Sequence, residues 1–220
     1  MNNIYYINLD SSTGRNEYME NQLKSNDIKI NRISGIQGLE LKNPEYRNKI
    51  HKDLGIHIYY LEEIWLTNRS NFKTMSNKID FIYPRFGLYL STIKLLKQAL
   101  TDGHEDCVVL EDDCIINTKI NIPVIEDADI IYLGATFQGD NYSNDAVIRV
   151  DPDKIKLWGT FGYYVKNIRA TLAVLLAPFQ IGRAYDKHEG WRSGLVKLRC
   201  QNIDSFYKNY FQKYGNCYFL

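Results

Sequence analysis

This chain has no basic block, no apolar run long enough to cross a membrane and no glycine-rich phosphate loop after its first strand. Each absence removes a class of function. Lys and Arg total 27 against 26 Asp and Glu, a formal net charge of +1, so no global field draws the protein to nucleic acid. No zinc-finger or RNA-binding signature occurs, and no nucleic-acid partner is expected. Without an apolar segment of spanning length, no transmembrane helix is expected. Met1-Asn2-Asn3 runs straight into a strand pattern, with no basic start, long apolar core or cleavage site, so a cytoplasmic location is expected. The missing Gly-x-Gly-x-x-Gly and Walker A patterns argue against dinucleotide binding and ATP hydrolysis. The missing Gly-x-Ser-x-Gly elbow argues against a serine hydrolase.

Cysteine is scarce, with Cys107, Cys114, Cys200 and Cys217 spaced unlike a zinc site or a disulfide framework. Reduced thiols are the expectation. Two glycosylation acceptor patterns, Asn68-Arg69-Ser70 and Asn141-Tyr142-Ser143, read as chance in the absence of a secretory route.

What is present is an α/β rhythm over 220 residues. Ile4 to Leu9 reads as a buried strand and Asp10 to Gly14 as a polar turn. Arg15 to Ser25 reads as an amphipathic helix with Tyr18, Met19 and Leu23 inward, and Ile28 to Ile33 alternates like a half-buried strand. Strand, helix and strand in that order predict a parallel crossover. His51 to Trp65 has a helical pattern and Thr67 to Lys78 a loop-like one, which makes about 39–83 a helical and loop insertion or lid. Leu88 to Leu100 is a firmer helix, stopped by Thr101-Asp102-Gly103. Strands follow at Cys107 to Leu110, Ala128 to Leu133 and Thr160 to Val165. A short hairpin or loop is expected over Asn141 to Pro152, a helix over Arg169 to Leu176 ended by Pro178, and a closing helix over Ile203 to Tyr214. One domain over 1–220 fits best, with ligands at the carboxyl ends of its strands.

The densest chemistry is Glu111-Asp112-Asp113, where an apolar strand ends in three carboxylates. Like charges this close call for a cation, and Mg²⁺ or Mn²⁺ is the natural one because hard ions take oxygen ligands and bridge carboxylates to substrate phosphates. On an extended strand Glu111 and Asp113 share a face, while Asp112 points the other way. The alternative is a solvated acidic turn. Asn8 and Asp10 end the first strand, and Arg15 opens the next helix, where a guanidinium reaches a pyrophosphate or else forms a surface ion pair. In Tyr185-Asp186-Lys187-His188-Glu189, Asp186 and His188 suit a metal shell or a general base, or form a surface turn.

Several of these segments, in this order, resemble glycosyltransferase family 25, the lipooligosaccharide-biosynthesis galactosyltransferases and their collagen-modifying relatives. The matching residues are Ile7-Asn8-Leu9-Asp10 with Arg15, Ile33 to Gly38, Gly87 with Ser91, Val109 to Cys114, Asp129 to Gly134, Gly159 to Val165 and Asp186. Ser91-Thr92 stands where the family often has Ser-His, and Tyr83-Pro84-Arg85-Phe86 replaces its usual acidic lead-in. The resemblance implies a GT-A-like, Rossmann-like fold with a mixed, mainly parallel sheet flanked by helices. It also implies a nucleotide-sugar donor, UDP-linked by preference, Mn²⁺ or Mg²⁺, and hexosyl transfer (galactosyl or glucosyl) with inversion to a glycan or protein hydroxyl. On that basis Asn8, Asp10, Arg15, Glu111, Gly87 and Ser91 are the expected donor-binding residues. Asp113, Glu111 and His188 are the expected metal ligands, and Asp186 and Asp112 the expected catalytic carboxylates. Two alternatives remain in view: a catalytically silent sugar- or partner-binding domain of the same fold, and a Mg²⁺-dependent phosphotransfer enzyme using Asp10.

Overall fold

The computed structural model describes residues 3–26, 28–56, 75–116, 120–138, 147–151, 153, 156–181, 207 and 211–220. Among the described residues seven strands form one sheet: β1 Ile4–Asn8, β2 Asn31–Ser34, β3 Cys107–Glu111, β4 Ile130–Gln138, β5 Ile148–Arg149, β6 Lys156–Val165 and β7 Cys217–Phe219. Their order across the sheet is β2-β1-β3-β6-β4-β7-β5. β1 is parallel to β2 and β3, β6 is antiparallel to β3 and β4, and β7 is parallel to β4 and antiparallel to β5. Only β5 and β6 therefore run against the rest, and the sheet is mixed but mainly of one direction.

Helices cover both faces. On one, Tyr5, Ile7, Val109, Tyr132 and Tyr163 pack with α3 (Met75–Thr101) and α4 (Ile168–Ile181) into the larger core. On the other, Ile4, Tyr6, Val108 and Leu110 pack with Met19 and Leu23 of α1 (Thr13–Ser25). Tyr18 is not part of that face; it is 48% exposed.

The segment read as an insertion joins the main core where it is described. A 3₁₀ turn (Gly38–Lys42) and α2 (Pro44–Leu54) bury Leu41, Ile50 and Leu54 in the same cluster as α3. α2 starts and stops by local chemistry: the Asn43 side chain accepts from Glu45 N–H, and Gly55 ends it at φ 63°. The helix expected over His51 to Trp65 thus begins earlier and ends at Leu54, and 57–74 lie outside the described residues.

α3 begins at Met75, well before the expected Leu88, and runs through Pro84. Proline forfeits one helical hydrogen bond. The burial of Ile82, Tyr83, Phe86, Tyr89 and Leu90 outweighs that loss, at roughly 1.5–3 kcal/mol for each large side chain fully removed from water. α4 likewise extends past Pro178 to Ile181. β4 and β6 are both longer than expected. β5 pairs with β7, a C-terminal strand that periodicity did not reveal because it is only three residues long. Of the closing helix, the described part is Tyr207 and Phe211, both buried, and the turn Gln212–Tyr214.

The 3₁₀ turn lies against α3 with almost no clearance. A Cβ on Gly38 would stand 2.1 Å from the Tyr83 carbonyl oxygen, and one on Gly87 would stand 2.6 Å from that of Ile36. Gly14 in α1 has nothing within 4 Å. Gly38→Ala is expected to cost about 3 kcal/mol and lower the thermal midpoint by roughly 10 °C. Gly14→Ala is expected to be neutral or to stabilise by about 0.5 kcal/mol. Scanning calorimetry of the two variants checks the contrast, and equal midpoints would contradict the packing.

Candidate functional site

The carboxyl ends of β1, β2 and β3 lie side by side because all three strands are parallel. Asn8, the last residue of β1, is 1% exposed and so needs internal partners for its amide. Its Nδ2 donates to Asp112 Oδ2 (2.8 Å) and to the Ser12 carbonyl (3.2 Å), and its Oδ1 accepts from Arg32 Nε (3.2 Å) and Nη2 (3.0 Å). Arg32 Nη2 also donates to Asp10 Oδ1 (2.6 Å), and the Ser34 hydroxyl donates to Asp10 Oδ2 (2.6 Å). On the far side of Asp112, Arg15 Nη1 donates to Oδ1 at 3.0 Å. The result is one chain of charge and amide across three strand tips: Asp10, Arg32, Asn8, Asp112, Arg15.

The acidic run does not stay extended. β3 ends at Glu111, and the Cys114 N–H donates to the Glu111 carbonyl at 3.3 Å, closing a turn over Asp112 and Asp113. Glu111 and Asp113 therefore do not share a strand face. Glu111 alternates with Val109 toward the α3 side, and Asp112 turns to Asn8. Asp113 is exposed at the rim of a cavity of about 610 Å³.

The cation beside the run is Arg15. Its hydrogen bond to Asp112 and the field of Asp112, followed by Asp113 and Glu111, raise its pKa further, so its charge is permanent. Arg15 is 60% exposed against 12% for Asp112, which leaves the guanidinium open to solvent on its other side. Among the described residues no group of three or more His, Cys, Asp or Glu stands together as a metal site.

Gly87 and Ser91 lie beneath these tips, inside the molecule. The Ser91 hydroxyl accepts from Ile36 N–H (2.8 Å) and donates to the Gly87 carbonyl (2.7 Å), tying the chain after β2 to α3. Lys94 Nζ donates to the Ser34 carbonyl at 2.7 Å and completes that tie. Asp186 and His188 lie outside the described residues.

Sequence reasoning passed over Arg32, Ser34 and Gln22. The Gln22 amide donates to the Cys114 carbonyl (3.1 Å) and accepts from Ile116 N–H (2.9 Å), so α1 clamps the backbone that follows the carboxylates. Ser34 lies within the Ile33 to Gly38 segment, but Arg32 and Gln22 sit in no motif. The alternation that places Arg32 on the Tyr6 and Asn8 side of β2 is the one signal that pointed to it.

With this geometry in place, comparison with known families is informative. The model of glycosyltransferase family 25 (LPS biosynthesis protein) matches residues 1–177. This chain belongs to that family. The match covers β1 through most of α4, including every described element of the site, and the family supports glycosyl transfer as the activity. No curated protein matches the chain. No helix among the described residues is long and apolar enough to cross a membrane, and Cys107, Cys114 and Cys217 are buried free thiols.

The hydrogen bonds from Ser34 and then Arg32 hold the Asp10 carboxyl below its usual range. A carboxyl lowered on folding stabilises the fold above its unfolded pKa of about 3.9, and that contribution fades as pH falls through the lower folded value. Arg32→Gln is expected to move the Asp10 titration midpoint upward in ¹³C-carboxyl NMR. An unchanged midpoint would contradict the assigned ion pair.

Proposed function

We propose that this family 25 glycosyltransferase moves a hexosyl group from a nucleoside-diphosphate sugar, UDP-linked by preference, to a hydroxyl of a glycan or protein, with inversion. The observation that carries the reading is the chain of Asn8 and Asp112 at adjoining strand tips with Arg15 of α1, which holds a partly exposed guanidinium beside an exposed carboxylate. A nucleotide diphosphate needs such cationic and hydrogen-bonding groups fixed before it arrives.

In this reading Asp112 is a positioning residue. It holds Arg15 in place, and the guanidinium's solvent side takes a diphosphate oxygen. Asn8 fixes Asp112 and is itself fixed by Arg32. The acceptor oxygen forms its bond to the anomeric carbon as the bond from that carbon to the diphosphate oxygen breaks, and the hydroxyl proton passes to a carboxylate. Asp186 is the candidate for that base.

The residues suit a divalent ion of the Mn²⁺ or Mg²⁺ kind. Such ions at nucleotide sites commonly use one or two carboxylates and take their remaining ligands from phosphate and water, so a cluster of three protein ligands is not required. Asp113, exposed beside Arg15 and Asp112, would be the first ligand, with Glu111 and His188 as further candidates. When bound, the ion supplies positive charge to the departing diphosphate.

Calorimetric titration of UDP, CMP and GDP, with and without Mn²⁺, tests the proposal. One nucleotide is expected to bind in a metal-dependent way. Asp113→Ala should abolish the metal dependence, and Arg15→Gln should weaken binding about tenfold, the loss of one charge-assisted contact. Folded protein that binds no nucleotide would instead favour a sugar-binding domain that has lost transfer.

A further inference from the structure

The cavity beside Asp113 lies between strands β3, β4 and β6 and residues 113–116 and 120–121 that follow β3, with Leu220 also lining it. Gly134 of β4 stands opposite Gly162 of β6, so neither of two neighbouring strands places a side chain there. The register shifts on both sides of Gly134, the kind of irregularity that re-aims strands beside sites. A Cβ on Gly134 would meet nothing within 4 Å, whereas one on Gly162 would touch Leu110 Cδ2 at 3.0 Å. The floor is thus open above Gly134 and covered by the Leu110 side chain at Gly162, and the volume of about 610 Å³ falls within the range of small-molecule sites.

Its edge is aromatic and apolar. Phe161 is 36% exposed, and its ring occupies the place that Gly159 leaves free at φ 86°; a Cβ there would stand 2.6 Å from the ring. Ile115, also lining the cavity, is 69% exposed. Among the described residues, the charged or amide side chains of the lining are Asp113 and Asn121. An apolar floor left open at Gly134, an aromatic edge and a carboxylate with an amide in the lining match a pyranose ring. Its C–H face suits the apolar surface, and its hydroxyls suit Asp113 and Asn121.

We infer that this cavity is the acceptor site and that the acceptor presents a hexopyranose ring to it. Sheet order favours the acceptor over the donor. Asn8 and Arg15 stand on the β1 side of β3, the cavity opens on the β6 and β4 side, and the turn over Asp112 and Asp113 lies between them. A nucleotide on the first side and a sugar hydroxyl on the second meet over Asp113. The assignment to the acceptor rests on the glycosyltransferase reading, while sugar binding in the cavity is measurable without it.

Saturation-transfer NMR on the full chain tests this with methyl glycosides of glucose, galactose, mannose and N-acetylglucosamine, with and without UDP and Mn²⁺. At least one glycoside is expected to show transfer to its ring C–H protons, to keep it in the presence of UDP, and to lose affinity about tenfold or more in Gly134→Val and Phe161→Ala. Both variants are expected to bind UDP as the unmodified protein does. Phe161→Ala shortens a partly exposed ring, so it decides the question even where Gly134→Val fails to fold. No glycoside bound by the folded protein, or binding unchanged in folded Phe161→Ala, would overturn the inference. Displacement by a UDP-sugar but not by UDP would give the cavity to the donor's sugar and overturn the acceptor assignment. Absence of UDP binding beside intact glycoside binding would count against the donor reading alone and would leave a sugar-binding cavity.

Discussion

The site depends on one buried amide. Asn8 ends a strand that is covered on both faces, and a side-chain amide left unpaired there would cost about 1–3 kcal/mol. Its two ends are read by different partners, Arg32 at the oxygen and Asp112 at the nitrogen. That fixes the orientation of the amide, which in turn fixes Asp112, and Asp112 fixes Arg15. Three parallel strands are needed to bring these groups together, so the crossover through α1 is a condition of the chemistry as well as of the fold.

The acidic run then divides its work. Asp112 is paired within the protein with the Arg15 cation and hydrogen-bonded by Asn8, and Asp113 is left outward at the cavity rim. Exposed ion pairs contribute little stability by themselves, typically below about 1 kcal/mol. The Arg15 pair is better understood as placement: it holds a permanent cation beside an exposed carboxylate. The Gln22 clamp on Cys114 and Ile116 holds the segment that follows in the same way.

Much of this was legible in the sequence, for physical reasons. Ile4 to Ile7 and Cys107 to Leu110 are continuous apolar runs, as strands buried on both faces must be, and β1, β3 and the crossover were read correctly. The carboxylates and Asn8 were visible because polar residues at strand tips interrupt such runs, and Arg15 because it opens the helix after the first strand. Less visible was what tertiary contact imposes. Pro178 reads as the end of a helix and Leu88 as the start of one, yet α4 runs on to Ile181 and α3 begins at Met75 and passes through Pro84. The Cys114 to Glu111 hydrogen bond turns the chain where alternation predicts an extended strand. Arg32 and Gln22 are ordinary surface residues by sequence, and only the β2 register and the approach of α1 give them partners. Gly134 and Gly162 lie 28 positions apart, and their opposition is a fact of strand pairing alone.

The most direct measurement is an anomalous difference map from crystals soaked in Mn²⁺ and a UDP-sugar. The account predicts an ion peak within ligand distance of Asp113, with the diphosphate beside Arg15 at the tips of β1 and β3. A peak or nucleotide in the polar hollow of about 300 Å³ between Arg32, Lys94 and Asp102, away from Asp113, would contradict it.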